Sequence, residues 1–354
     1  MNTPATGSTR RDKTRFVVPL LLITTTLLGL GVFELILSAL LWYPPLVRVV
    51  PAHLGNMAVR YYDAADRAVV QGMESCAQYD SRLFYTLKPG TCVQTEREFS
   101  VAYAINSQGL RDSETALTAP RMIVIGDSFA MGWGVAQQSA FAKLVEAEWG
   151  HSVLNAGISS YGTARETSLL NQLDLSALEY VVVQYCDNDV GENHAFIKNG
   201  YRLLISSRET YQEMVNATTR GRSYFPGDRL RWVSSFALRW LGPPQATVAD
   251  DISSTEQARL FLEVLSKNFA ESHPKVKIMA FELNTYAAND PSFASELERQ
   301  KASSRLAPNV GRMVVEDFST RLNRSHTFDL DSHLRPAGHR VVADAILSRL
   351  KSGW

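Results

Sequence analysis

A chain of 354 residues, 45% hydrophobic and with a formal net charge of zero at pH 7, can bury a full core and has no electrostatic reason to hold nucleic acid. Its three cysteines lack the paired spacing of a zinc centre, and no motif asks for a metal or cofactor.

The first strong signal is at the N-terminus. Arg10, Arg11, Lys13 and Arg15 close a tail of residues 1–15. Residues 16–33 then carry no charge, Glu34 interrupts, and a second apolar run covers 35–43. About 20 apolar residues cross a bilayer, so 16–43 is expected as one transmembrane helix. The basic flank puts the tail in the cytoplasm and the rest of the chain outside it. A cleaved signal peptide is the rival reading, but the apolar region exceeds the usual ~7–15 residues and no small-x-small site follows, so an uncleaved anchor is expected. Trp42, Tyr43, Pro44 and Pro45 stop the helix at the far interface. Glu34 is costly in lipid and is expected at the outer interface, or neutral, or facing a partner helix.

Residues 44–120 read as a juxtamembrane helix followed by a β-hairpin region. The helical pattern runs over 46–73, with Tyr61, Tyr62, Ala65 and Val69 on its apolar face. Leu83, Tyr85 and Leu87 alternate, Lys88-Pro89-Gly90 makes a turn, and Phe99, Val101 and Tyr103 alternate again, which predicts a hairpin. In an oxidising compartment Cys76 and Cys92, on either side of that turn, are candidates for a disulfide.

From Arg121 strands and helices alternate. Strands are expected at 122–125, 152–155 and 180–185, helices at 140–149 and 163–173, then a helix at 257–273, a strand at 276–281, a polar helix at 292–303 and a closing helix at 338–350. The fold class is therefore α/β, a three-layer α/β/α sandwich with a mostly parallel sheet over 121–354. Residues 194–256 form an insertion rich in aromatic and basic residues, including Tyr201, Tyr224, Phe225, Trp232, Phe236 and Trp240, with an amphipathic helix over 230–241. It reads equally as a substrate wall or as a structural cover.

In an open parallel sheet the ligand crevice lies beyond the carboxyl ends of the strands. There this chain offers Ser128 in Gly126-Asp127-Ser128, Gly157 in Asn155-Ala156-Gly157, Asn188 in Cys186-Asp187-Asn188-Asp189, and His333 in Asp331-Ser332-His333. A serine that attacks a carbonyl, a histidine that takes its proton and an aspartate that fixes the imidazole are the parts of an acyl-transfer site. A glycine N–H and an asparagine amide suit the oxyanion. Strand-Gly-Asp-Ser-helix is by itself also an ordinary capped turn, so the weight lies in the set and its order.

This set, in this order, resembles the SGNH or GDSL hydrolase superfamily over roughly residues 121–350. Residues 106–111, Asn-Ser-Gln-Gly-Leu-Arg after the hairpin, are similar to the leader of its membrane-anchored bacterial members. The resemblance implies Ser128 as nucleophile, His333 as base, an oxyanion hole of the Ser128 and Gly157 amides with Asn188, and Asp127 in support. The usual aspartate three residues before the histidine is replaced by Leu330. Asp331 is assigned instead, as in the shortened Asp-x-His form, with Asp329 in reserve. The resemblance further implies a membrane-anchored esterase, on the periplasmic or outer side of a bacterial cytoplasmic membrane, that removes small acyl groups, acetyl above all, from envelope polysaccharide. Transfer to a sugar hydroxyl, or a silent scaffold binding polysaccharide or a membrane partner protein, are the alternatives. Of the other histidines, His339 is expected to pack or cap and His194 to lie at the surface, while Trp133 and Tyr161 either floor the acyl site or fill the core.

Overall fold

The computed structural model describes residues 10–220, 225–240, 252–303 and 305–354. Residues 1–9, Tyr224 and Leu241, and the side chains of Phe236 and Trp240, lie outside the described part. In chain order the helices are α1 (Arg10–Trp42), α2 (Ala52–Tyr61), α3 (Ser128–Met131), α4 (Phe141–Trp149), α5 (Thr163–Leu170), α6 (Val190–Lys198), α7 (Arg208–Arg220), α8 (Asp228–Trp240), α9 (Ser254–Leu265), α10 (Pro291–Gln300), α11 (Pro308–Gly311) and α12 (Pro336–Lys351). The strands are β1 (Ala77–Asp80), β2 (Phe84–Leu87), β3 (Gly90–Thr95), β4 (Ser100–Ile105), β5 (Met122–Ile125), β6 (Val153–Asn155), β7 (Tyr180–Tyr185), β8 (Lys277–Glu282) and β9 (Val314–Glu316). The chain forms two compact units, Met1–Tyr61 with Tyr224–Pro244, and Tyr62–Ser223 with Gln245–Trp354.

In the first unit α1 holds a segment, Val17–Trp42, long and apolar enough to cross a bilayer. Its side chains from Val17 to Leu28 point outward, whereas Leu37, Leu40 and Leu41 are buried. There α2 and the short turn Pro44–Arg48 pack against α1. Along α8, Trp232 sets its ring edge-on to Tyr61 at 5.6 Å and the Arg229 guanidinium lies over the same ring. Glu34 turns toward the start of α8, so of the three expectations for it the partner helix is the one observed.

The second unit carries the sheet. Its order is β6-β5-β7-β8-β9, all parallel. Every residue of β5 is buried, and alternate side chains serve opposite faces. Ile123 and Ile125 belong to one core cluster with Leu169, Phe261 and Phe293 of α5, α9 and α10, whereas Met122 and Val124 belong to another with Phe141 and Ile346 of α4 and α12. A strand buried on both faces reads as an unbroken apolar run, which is why β5 and β7 stand where the sequence puts them. The chain leaves β5 toward β6 at one edge and returns to β7 on the other side, so the switch of direction falls between β5 and β7.

The hairpin expectation needs correction. The turn at Lys88-Pro89-Gly90 does not join partners. β1 pairs with β2, and β3 pairs separately with β4, with Gly90 opposite Ile105 and Cys92 opposite Tyr103. The earlier turn is made by Asp80, whose carboxylate accepts the N–H groups of Arg82 and Leu83, a local bond that short polar side chains favour in turns. A Cys76–Cys92 disulfide ties the two hairpins together. In the insertion, α7 packs Tyr211 and Val215 against the first hairpin, with Tyr211 beside Tyr79 and Phe84, and is a cover.

Candidate active site

The turn that carries Ser128, the candidate nucleophile, is built from the end of β5. A side chain on Gly126 would meet Gln184 Oε1 at 2.5 Å and Ala130 Cβ at 2.7 Å, so only glycine fits between β7 and α3. Gln184 Oε1 accepts the N–H groups of Asp127 and Ala130 at 3.1 and 3.2 Å. Asp127 caps α3 by accepting the Phe129 N–H at 2.9 Å. Burial pushes its carboxyl up to about 6, against the pull of that amide and of His333. Ser128 is the first residue of α3, where an N–H has no acceptor within the helix. At the other end of α3, buried Arg111 donates to the carbonyls of Met131, Gly132 and Val135. The arginine of the 106–111 leader thus holds the nucleophile helix from behind.

The second half comes from the loop between β9 and α12. Thr327 bridges to Leu334, and the Phe328 N–H donates to the His333 carbonyl at 3.1 Å, which closes the loop on itself. His333 Nε2 lies 2.7 Å from Ser128 Oγ, and His333 Nδ1 lies 2.5 Å from Asp331 Oδ1. With Asp331 ionised, Nδ1 carries the proton and Nε2 is the acceptor for the serine hydroxyl. Asp331 Oδ2 accepts from Trp133 Nε1 at 3.0 Å and from the Tyr62 hydroxyl at 3.1 Å. Burial alone would raise the Asp331 carboxyl. The charge and hydrogen bonds of His333, with the Arg67 guanidinium nearby, outweigh it and hold the group well below the usual carboxylate range. Tyr62 is pushed the other way, first by burial and then by Asp331, and stays a phenol.

Asp331 therefore partners the histidine, and the reserve Asp329 is engaged elsewhere, with its carboxylate 2.8 Å from Arg335. Asn188 sits in a short turn at the end of β7 with its side chain exposed. Gly157 departs from expectation. Its N–H donates to Asn155 Oδ1 at 3.0 Å, so it is not a free donor in this geometry. The cause is local, since an asparagine side chain readily accepts from the N–H two residues on. The glycine itself is required, because a Cβ there would lie 2.7 Å from the Ala130 carbonyl carbon.

The aromatic expectations divide. Trp133 neither floors the site nor simply fills the core: it stacks on His333 at 4.8 Å and 19° while its N–H holds Asp331. Tyr161 is core, with its hydroxyl donating to the Tyr85 carbonyl. His339 accepts the Phe141 N–H at 3.3 Å, and burial depresses it to about 3, so it is a neutral packing residue as expected. His194 is exposed.

Sequence reasoning named Tyr62 and Arg111 without these roles, and missed Gln184 and, above all, Glu98 in the turn between β3 and β4. The Glu98 carboxylate accepts three successive backbone N–H groups, those of Asp329 and Leu330 at 2.7 Å and of Asp331 at 2.9 Å. It fixes the backbone from which Asp331 and His333 project. No local pattern marks such a residue, because its partners lie more than 230 positions away.

No protein-family model and no curated protein matches the chain. Among solved structures, a member of the lipolytic protein G-D-S-L family from Veillonella parvula is similar at 13% identity and a TM-score of 0.38, over 64% of this chain and 96% of that one. A putative lipolytic protein of the G-D-S-L family from Desulfitobacterium hafniense is similar at 14% and 0.34, over 63% and 95%. A carbohydrate esterase family 2 enzyme from Corynascus thermopiles is similar at 14% and 0.36, over 66% of each chain. Likeness at this level does not fix a chemistry.

Proposed function

We propose that the protein is a serine ester hydrolase of the SGNH type, held at a membrane by α1. The observation that carries this is the continuous contact from Ser128 Oγ through His333 to Asp331, with Asp331 held as the anion. Ser128 Oγ attacks the ester carbonyl carbon while its proton passes to His333 Nε2, and the imidazolium is stabilised by Asp331. The tetrahedral oxyanion is stabilised by the Ser128 N–H and the Asn188 amide, with the Gly157 N–H joining only by releasing Asn155. Collapse breaks the bond to the alcohol oxygen, which takes the proton from Nε2. Water then attacks the acyl-enzyme, gives its proton to Nε2, and collapse returns that proton to Ser128 as the carboxylic acid leaves.

The carbohydrate-linked acetyl ester rests on the sequence resemblance alone. A sugar hydroxyl in place of water would use the same steps and make the enzyme a transferase. Retention of α1 as an anchor is supported by Glu34, whose carboxylate is bonded to α8 and would be lost with a cleaved leader. An extracytoplasmic site is supported by the Cys76–Cys92 disulfide.

The test is labelling of the purified full-length protein with a fluorophosphonate probe. Labelling is expected to vanish in Ser128→Ala and to fall sharply in His333→Ala. Labelling that persists in Ser128→Ala, or a folded wild type that does not label, would overturn the assignment. Product analysis with an acyl ester, with and without a sugar acceptor, then separates hydrolysis from transfer.

A further inference from the structure

Glu34 sits inside an apolar helix, yet it is not a stray charge. Its Oε1 accepts the Gly227 N–H at 3.3 Å and its Oε2 the Leu230 N–H at 3.1 Å, while Arg229 Nη1 stands 3.5 Å from Oε1. Glu34 is 9% exposed and Arg229 3%. The start of α8 is thereby fixed to one level of α1.

That level can be placed against a bilayer. Val17–Trp42 has 26 residues, about 39 Å of helix, against a hydrocarbon core of about 30 Å. If the inner edge of the core is at Val17, the outer edge falls near Leu37, about 5 Å past Glu34. If instead the outer edge is at Trp42, Glu34 lies about 12 Å beneath it. Tilting the helix brings more of it into the core. Both registers thus leave Glu34, and the two amides bonded to it, on the hydrocarbon side.

Part of the neighbouring surface has the matching chemistry, and the further charge in it, Asp228, is paired with the exposed Arg231 at 3.1 Å. Phe225 is 72% exposed and Pro226 is exposed beside it. Pro226, Gly227 and Leu230 form one wall of an apolar groove of about 630 Å³ whose other wall is Leu27, Leu28 and Leu35 of α1. In water such a surface is a liability, and against acyl chains it is not. Backbone N–H groups could not be left bare at that depth; Glu34 accepts those of Gly227 and Leu230, while those of Phe225, Asp228 and Arg231 go to Asp228 and to the Phe225 and Gly227 carbonyls.

We propose that residues 225–230 are a second membrane-inserted element, a turn that dips into the outer leaflet beside α1, held there by Glu34, with its groove filled by lipid acyl chains. The proposal rests on the reading of α1 as a retained anchor. The test places a nitroxide on single cysteines in the full-length protein in phospholipid nanodiscs, at Phe225→Cys, Leu28→Cys and Arg82→Cys, and compares collision with oxygen and with a water-soluble nickel chelate. Leu28 is 68% exposed on α1 and the Arg82 side chain 71% exposed on the hairpin, so they report lipid and water respectively. Phe225 is expected to match Leu28, with high oxygen and low nickel contact. A Phe225 label as open to nickel as the Arg82 label, with Leu28 still in lipid, overturns the inserted turn and leaves the anchor standing. Nickel contact at Leu28 overturns both. Glu34→Ala is expected to invert the ratio at Phe225 without changing Leu28, and an unchanged ratio removes Glu34 from the docking role.

Discussion

Two fully buried carboxyl groups near the working end of the sheet meet opposite fates. Asp331 receives four hydrogen bonds, from the ring and backbone of His333, from Trp133 and from Tyr62, and stays ionised. Glu166, on α5, has no hydrogen-bond partner on either oxygen among the described residues, and burial, reinforced by Asp189 and Asp127, pushes it well above its usual range. Burial by itself therefore makes a carboxyl neutral. What makes Asp331 an anion that can orient an imidazole is the set of donors around it.

The largest test of that contrast is Asp331→Asn, which keeps the shape and removes the charge. It should lower kcat/KM for an aryl acetate by about 10⁴-fold, the scale seen when a triad aspartate is neutralised. A loss under about tenfold would mean that the donors, not the charge, do the orienting. Next comes Asn188→Ala, expected to cost about 10²-fold in kcat with KM little changed, as for a lost oxyanion donor. Trp133→Phe and Tyr62→Phe each remove one bond to Asp331, and each should lower kcat about tenfold. Trp133→Phe leaves an aromatic ring to stack on His333, so an equal loss in both variants would assign the effect to the hydrogen bonds and not to stacking.

The smallest effect on turnover is expected at Glu166→Gln, where the informative axis is pH. Asp331, with a depressed folded value, adds stability that is present above about pH 4 and lost as acid protonates it. Glu166 has the reverse sign. It stays protonated in the folded chain while the unfolded chain ionises above a value of 4.5, so its share of stability falls as pH rises. The Gln variant removes that slope. Thermal melts of the two proteins should agree near about pH 4 and separate in favour of Glu166→Gln toward about pH 8. A constant offset across that range would mean that Glu166 is ionised in the fold.

Reading the chain alone pointed to those parts of the candidate site that are local in sequence. Ser128 follows an apolar strand and His333 precedes a helix; periodicity places those two elements, and the motifs with the family resemblance single out the two residues. Four of the five strands of the sheet were legible for the same reason, since β5 and β7 are buried on both faces, whereas β9, a three-residue edge strand only partly buried, shows no such run. The pairing of the hairpins was not, because alternation shows which residues share a face but not which strand lies opposite. Nor was the commitment of the Gly157 N–H to Asn155, which depends on a rotamer. The role of Trp133 was half visible: an aromatic residue just past the nucleophile was noted, but only the fold brings it 198 positions forward to Asp331.

The clamp made by Glu98 has a further consequence, in the order of events during biosynthesis. Its turn between β3 and β4 is translated long before the segment it grips, and the three N–H bonds exist only once the last part of the chain has closed onto it. A chain still emerging, or one cut short before Asp329, holds Ser128 without the residues that activate it. On the proposed mechanism the serine is thus switched on by completion of the fold, and unfinished molecules would carry no working nucleophile.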